Sequence, residues 1–371
     1  MMSTPEIYLG LMSGTSIDSI DVAAMTFTGG KLELLGTHAE PIPELLKQQI
    51  VDLCQLGKDS VQLLCETDNQ LGELFARAAL ALMEAENIKS DQVVAIGSHG
   101  QTVRHSPPKS GAIAFTQQIG DANIIAARTG CTVVADFRRK DMALGGHGAP
   151  LVPAFHKTLF SDAQTNRVIA NIGGISNITA LPRDRSCYGF DTGPGNLLLD
   201  AWCAKHTGNR FDNQGAWGAT GQVCHELLDQ FMAHPFIGQV APKSTGRESF
   251  NLAWLEAQLI DHSLKAADIQ ATLVSFTAQS LAGAINGLKE PVDEVYICGG
   301  GVFNDHLMAQ LQIALGYKTL HSTEKLGVNP TWVEACAFAW LAYQHINKQP
   351  GNLPSVTGAS REAVLGALYL P

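Results

Sequence analysis

The chain has 371 residues, 45% hydrophobic and 16% charged, with 25 basic against 35 acidic side chains for a formal net charge of −10. At roughly 150 residues per domain that length suggests about two domains, and the composition excludes a disordered or fibrous chain. So acidic a balance disfavours nucleic acid and anionic membranes as main partners. No apolar run approaches the ~18 residues of a membrane span, and Met1–Glu6 has no basic region ahead of an apolar stretch, so the expected location is the cytoplasm.

Ile7–Met12 reads as a strand, broken by Ser13-Gly14-Thr15-Ser16 before apolar patterning resumes at Ile20–Phe27. Thr28-Gly29-Gly30-Lys31 then turns the chain into Leu32–Thr37, and three strands on such tight connections make an antiparallel start. Helical periodicity covers Pro43–Leu56 and Ser60–Asn87, where Leu71, Leu74, Phe75, Ala78, Ala79 and Leu82 share a stripe. Val93–Ser98 is a buried strand ending in the polar run His99-Gly100-Gln101-Thr102; Phe115–Ile119, Asp121–Arg128 and Thr132–Asp136 follow as strand, helix, strand.

The second half opens the same way. Arg167–Ile172 is a strand, Gly173-Gly174-Ile175-Ser176-Asn177 a glycine turn, and Ile178–Leu181 a returning strand. Ser186–Phe190 leads through Asp191-Thr192-Gly193-Pro194 into a helix at Asn196–His206, with further helices near Gln222–Ala233, Leu252–His262 and Leu273–Leu288. Glu294–Cys298 is a strand, Gly299–Gly301 a turn, and Asp305–Leu315 and Val333–Tyr343 are helices; the tail after Pro350 reads as irregular. Strand–glycine turn–strand at 7–27 and again at 167–181 is an approximate duplication. The expected organisation is therefore α/β with two similar lobes, mixed sheets flanked by helices, and a central cleft that suits a ligand. The N-terminal lobe is placed at 1–135, with its boundary open to about 165, and the C-terminal lobe with the final helix at 136–371.

Eight cysteines carry no CxxC spacing, which argues against structural zinc and for reduced, mostly buried thiols. The 36 glycines cluster in turns, and three of those turns suit chemistry. In Ser13-Gly14-Thr15-Ser16-Ile17-Asp18-Ser19-Ile20-Asp21, bare backbone and hydroxyls can meet a phosphate, with Asp18 or Asp21 beside a magnesium water shell; a polar hairpin capped by Asp18 explains the same residues. Gly193 and Gly195 precede a helix N-terminus, where the dipole favours an anion, and Asp191 there is either a general base or a turn aspartate. Gly299-Gly300-Gly301, followed by Asn304, suits a flat base or ribose against the backbone, or a close-packed strand–helix junction. Arg138 or Arg139 can pair with a substrate carboxylate, or belong to a surface salt-bridge patch.

Leu11–Asp21, Gly97–Thr102, Ala135–Arg138, Gly145–Pro153, Asn171–Asn177 and Phe190–Asn196 together resemble the anhydro-N-acetylmuramic acid kinase family, along nearly the whole chain. The resemblance implies the sugar kinase, heat-shock chaperone and actin superfamily, with duplicated actin-like (ribonuclease H-like) lobes and ATP bound in the cleft. It implies that ATP and water convert the anhydro sugar to N-acetylmuramic acid 6-phosphate and ADP during recycling of cell-wall sugars, with Mg2+ as cofactor and a homodimer as the assembly. By the same resemblance, ATP contacts fall on Ser13 to Asp21, Gly173, Gly174, Gly193, Gly299, Gly300, Gly301 and Asn304. Asp191 deprotonates the attacking water, and His99, Gln101, Arg138 and Glu334 face the sugar; a first-turn glutamate complementing its helix dipole is the plainer explanation of Glu334. Ser19 stands where the family usually has glycine, which would strain the chain if that position needs a positive φ. A kinase for another small molecule, an ATP-driven switch and a sugar-binding protein without turnover are the competing classes.

Overall fold

The computed structural model describes residues 6–14, 16–28, 31–108, 113–241, 243–247, 249–260, 263–316 and 319–371. Contacts divide the chain into two units, Met1–Phe155 with Trp332–Pro371, and His156–Thr331.

The first unit opens with β1 (Ile7–Ser13), β2 (Ser19–Thr28) and β3 (Lys31–Pro41), an antiparallel meander. The Gly29-Gly30 part of the expected turn lies outside the described residues. Two helices follow, Glu44–Leu53 and Val61–Ala85; Ser60 caps the second by accepting from the Leu63 amide at 3.0 Å. The stripe from Leu71 to Leu82 is buried there, against Leu9, Leu11, Ile20 and Val22. β4 (Val93–Ser98) lies parallel to β1, and the polar run after it leads into β5 (Gln101–Ser106), which pairs antiparallel with β6 (Phe115–Ile119). β7 (Val133–Ala135) lies parallel to β4, and the helix Phe137–Ala143 follows; the next helix, Val152–Phe160, contains the division at Phe155.

The second unit repeats the plan. β8 (Arg167–Ile172), β9 (Ile175–Leu181) and β10 (Tyr188–Pro194) are an antiparallel meander; β11 (Glu294–Cys298) and β12 (Thr319–Ser322) add in parallel, in the order β10-β9-β8-β11-β12. Its core gathers Val168, Ala170 and Ile172 with Leu198, Phe231, Phe276 and Leu281 from the helices.

Two expectations about the C-terminus need correction. The helix Val333–Ile346 belongs to the first unit, not to a C-terminal lobe. The cause is a flat track: Gly10 on β1 and Gly97 on β4 are register partners, and a Cβ on either would overlap a backbone carbonyl of that helix, Ala335 or Phe338. The tail also contains β13 (Ala367–Tyr369), which pairs antiparallel with β7 and completes the first sheet as β13-β7-β4-β1-β2-β3. A pairing between the last residues and Val133–Ala135 leaves no local trace for a reader of the sequence. Of the eight cysteines, all unbridged, Cys54 and Cys65 are exposed, Cys224 is half-buried and the other five are buried.

Candidate active site

In the first unit the polar turn between β1 and β2 is held from behind. Ser13 Oγ donates to Gln101 Oε1 at 2.6 Å, both side chains being buried, and Gln101 Nε2 donates to the Thr102 carbonyl at 3.1 Å. Ile17 closes the turn onto the Gly14 carbonyl at 3.2 Å with φ 55°, so the positive φ falls on Ile17 and not on Ser19. Ser19 is extended at the start of β2, opposite Pro41, and is unstrained there. Ile17 and Ile20 point into the core, which leaves a ligand only their backbone. Thr15 lies outside the described residues and Ser16 is exposed. A Cβ at Gly14 would meet no protein atom within 4 Å, so packing does not demand a glycine.

The two aspartates of this turn are not equivalent. Asp18 accepts from Lys47 Nζ at 2.6 Å. Asp21 is half-buried and accepts from Ser19 Oγ at 2.8 Å; burial raises its pKa, and the neighbouring Asp18 charge adds to that rise.

A second cluster forms at the end of β4. His99, 6% exposed, accepts on Nε2 from Arg138 Nε at 3.1 Å and from Nη2 at 2.8 Å, while Arg138 Nη1 donates to the Gly148 carbonyl at 2.9 Å. Burial and the Arg138 charge press the His99 pKa far below its ordinary value, so the ring is neutral and accepts from the guanidinium. Burial pulls Arg138 down to about 10, with Glu334 and then Asp141 opposing the fall, so it remains a cation at neutral pH. Glu334 is the counterpart in the first turn of the Val333–Ile346 helix; burial raises its pKa, Arg138 opposes that, and Asp21 adds to it. Arg139 instead is exposed and donates to Gln117 Oε1 at 2.8 Å. The Gly145–Pro150 loop is pinned by Asp141, which accepts from the Gly148 amide (2.8 Å), Asn352 Nδ2 (2.7 Å) and Thr357 Oγ1 (2.7 Å).

In the second unit Asp191 sits on β10 at a register shift that ends at Gly193. Its Oδ2 accepts from Ser244 Oγ at 3.0 Å and from the Thr245 amide at 2.9 Å, and its own amide donates to the Lys243 carbonyl at 3.1 Å. The expectation of an anion at the following helix N-terminus is not met. The amides of Gly195, Asn196 and Leu197 donate to the carbonyls of Gly173 and Gly174 at 2.8–3.1 Å, so the dipole end is already filled by the turn between β8 and β9. Gly173 and Gly174 have room above them, the nearest atom to an added Cβ standing at 3.7 Å and 4.0 Å respectively. The Gly193 backbone, at φ 146°, is one that side chains rarely adopt.

The glycine triplet divides in the same manner. Gly299 and Gly301 are needed for packing, since a Cβ would overlap Asn171 or Ile172, whereas Gly300 is open and lines a cavity of about 640 Å³. Asn304 also lines that cavity, and its Oδ1 caps the next helix by accepting from the Leu307 amide at 2.9 Å. Sequence reasoning missed the facing wall, Phe211 to Gln214, and missed Lys243, Ser244 and Thr245 beside Asp191. The polar stretch Asn209 to Gly215 and the run Lys243-Ser244-Thr245-Gly246 lie between expected helices, and nothing local ties either to its partner.

Two α/β units with the same strand plan, each carrying open glycine turns at strand ends, define a duplicated α/β fold of the actin-like kind. The family model described as anhydro-N-acetylmuramic acid kinase matches residues 6–371. The anhydro-N-acetylmuramic acid kinase of Coxiella burnetii (strain RSA 493 / Nine Mile phase I) is 50% identical over 366 residues, 98% of this chain and 97% of that one. The one from Shewanella amazonensis is 52% identical over 365 residues, 98% of each chain. The chain belongs to the anhydro-N-acetylmuramic acid kinase family. Among solved structures, component A of (R)-2-hydroxyglutaryl-CoA dehydratase from Acidaminococcus fermentans is a distant likeness, with TM-score 0.49 and 13% identity over 92% of this chain and all of that one (100%).

Proposed function

We propose that this chain is an ATP-dependent kinase that opens anhydro-N-acetylmuramic acid with water and phosphorylates it to N-acetylmuramic acid 6-phosphate, in the recycling of cell-wall sugars. Asp191 takes a proton from water as the water oxygen bonds to the anomeric carbon and the internal ether breaks. The freed oxygen on C6 takes the γ-phosphoryl group, and the bond to ADP breaks. The observation that supports this role for Asp191 is its fixed carboxylate: two donors grip one oxygen, which holds the group in one orientation. Arg138, kept cationic and aimed by His99 and Gly148, binds the sugar's carboxylate, with Glu334 facing the same sugar.

In the second unit the open turn at Gly173-Gly174 takes the phosphates of ATP and the cavity at Gly300 and Asn304 its base end; in the first unit the open turn at Gly14 suits a phosphate. Mg2+ when bound neutralises charge on the transferring phosphates. Asp21 fits it better than Asp18, because Asp18 is already paired with Lys47 whereas the burial that raises Asp21 favours a compensating cation. No helix among the described residues is long and apolar enough to cross a membrane. A cytoplasmic homodimer is the assembly and place this reading assigns, and light scattering tests the first half.

Product formed in heavy-oxygen water tests the reaction, with label expected on the anomeric hydroxyl. Asp191→Asn is expected to abolish ADP release with the anhydro sugar while ATP binding, measured by calorimetry, stays near wild type. Wild-type turnover of that variant would remove Asp191 from the mechanism.

A further inference from the structure

The segment that grips Asp191 is itself tied down. Lys243 Nζ donates to the carbonyls of Phe236 at 3.1 Å and Ile237 at 3.0 Å, and lies 4.7 Å from the centre of the Phe236 ring. Those carbonyls follow the His225–Met232 helix, so one ammonium fastens residues 243–245 to the second unit's helical layer. From that anchor three consecutive residues reach Asp191: the Lys243 carbonyl accepts from its amide, the Ser244 hydroxyl and the Thr245 amide donate to its Oδ2. The backbone of Asp191 is thus held on the side away from its β9 partner, Asn177, and the carboxylate is held in one rotamer.

A lysine at this place is expensive unless the charge is used. Burial lowers the Lys243 pKa, and the nearby Asp191 charge opposes the fall. Two carbonyls and an aromatic face replace part of its hydration. A surface loop needs no such anchor to stay on a protein, whereas a base that must be within a fraction of an ångström of a water does.

We propose that Lys243, Ser244 and Thr245 form the positioning strap of the Asp191 carboxylate, with the Lys243 ammonium as its latch. The inference rests on Asp191 being the base, and its test separates the two. Lys243→Met releases the latch, and Ser244→Ala removes one donor from an exposed side chain without touching the fold. Steady-state kinetics is expected to show kcat falling about 10- to 100-fold for Lys243→Met and about 3- to 10-fold for Ser244→Ala, with KM for ATP and for the sugar within about twofold of wild type. Lys243→Arg, which keeps the charge and the reach to both carbonyls, is expected to restore part of kcat. Should Lys243→Met fail to fold, Ser244→Ala and Lys243→Arg carry the test. Unchanged kcat in Ser244→Ala and Lys243→Met, alongside an inactive Asp191→Asn, overturns the strap and leaves the base standing. An active Asp191→Asn overturns the base.

Discussion

Gly10→Ala is the sharpest single test of how the fold holds the Glu334 carboxylate. A methyl group at residue 10 would overlap the Ala335 carbonyl oxygen and stand 2.5 Å from the Ala339 amide nitrogen, where ordinary contact begins at 3.4 Å. The Val333–Ile346 helix must therefore retreat from β1 by about 1 Å or more, because both obstacles are backbone and neither can rotate away. Overpacking of this sort costs about 1–3 kcal/mol, and two backbone clashes put this case near the upper end. For a unit of this size, about 3 kcal/mol corresponds to a melting temperature about 6–12 °C lower. Glu334 precedes Ala335 on the displaced helix, so the same change is expected to raise KM for the sugar more than KM for ATP. Thermal unfolding followed by circular dichroism, with kinetics at a temperature where the variant is folded, reads both effects. A variant that melts within about 2 °C of wild type would refute the reasoning, since it would mean the helix does not rest on this glycine.

Gly14→Ala is the contrasting case: no protein atom within 4 Å opposes the methyl, so the melting temperature should hold within about 2 °C while KM for ATP rises about tenfold or more. Unchanged KM would move the phosphates to another turn. Acid sensitivity should trace partly to His156, which is 2% exposed, shares a hydrogen bond with Thr179 Oγ1 at 2.9 Å, and is pushed by burial from 6.5 down to about 3. Because the folded value is the lower one, its contribution to stability is whole above 6.5 and is lost as pH falls from there toward 3. Urea unfolding of His156→Phe across that interval should show a shallower loss than wild type, and an equally steep one would assign the acid sensitivity elsewhere.

Elements with strong local patterning were legible. Both meanders, the long Val61–Ala85 helix and the strand–glycine–helix junctions follow from alternation, stripe and turn chemistry alone. Asp191 and the turns at Gly14 and Gly300 stand out because such turns recur in both half-repeats; each alone reads equally as a turn aspartate, a polar hairpin or a packed junction. What was not legible depends on partners distant in the chain. β5 reads as polar because its residues pair with β6 and with Ser13 rather than filling a core. The helix N-terminus at Asn196 looked vacant because the carbonyls that fill it come from Gly173 and Gly174. Arg138 and Arg139 are adjacent letters with opposite fates, one turned inward to His99 and the other outward to Gln117.

The order of residues along the chain has a consequence for synthesis. The second unit is one uninterrupted stretch, His156–Thr331, and once it has left the ribosome it holds every strand of its sheet. The first is begun earlier and finished later: the bare track of β1 and β4 waits for a helix that emerges only after the whole of the second unit. While the second unit is being made the apolar track of the first thus lies uncovered, and a chaperone that shields it until the Val333–Ile346 helix arrives would serve the half that is made first.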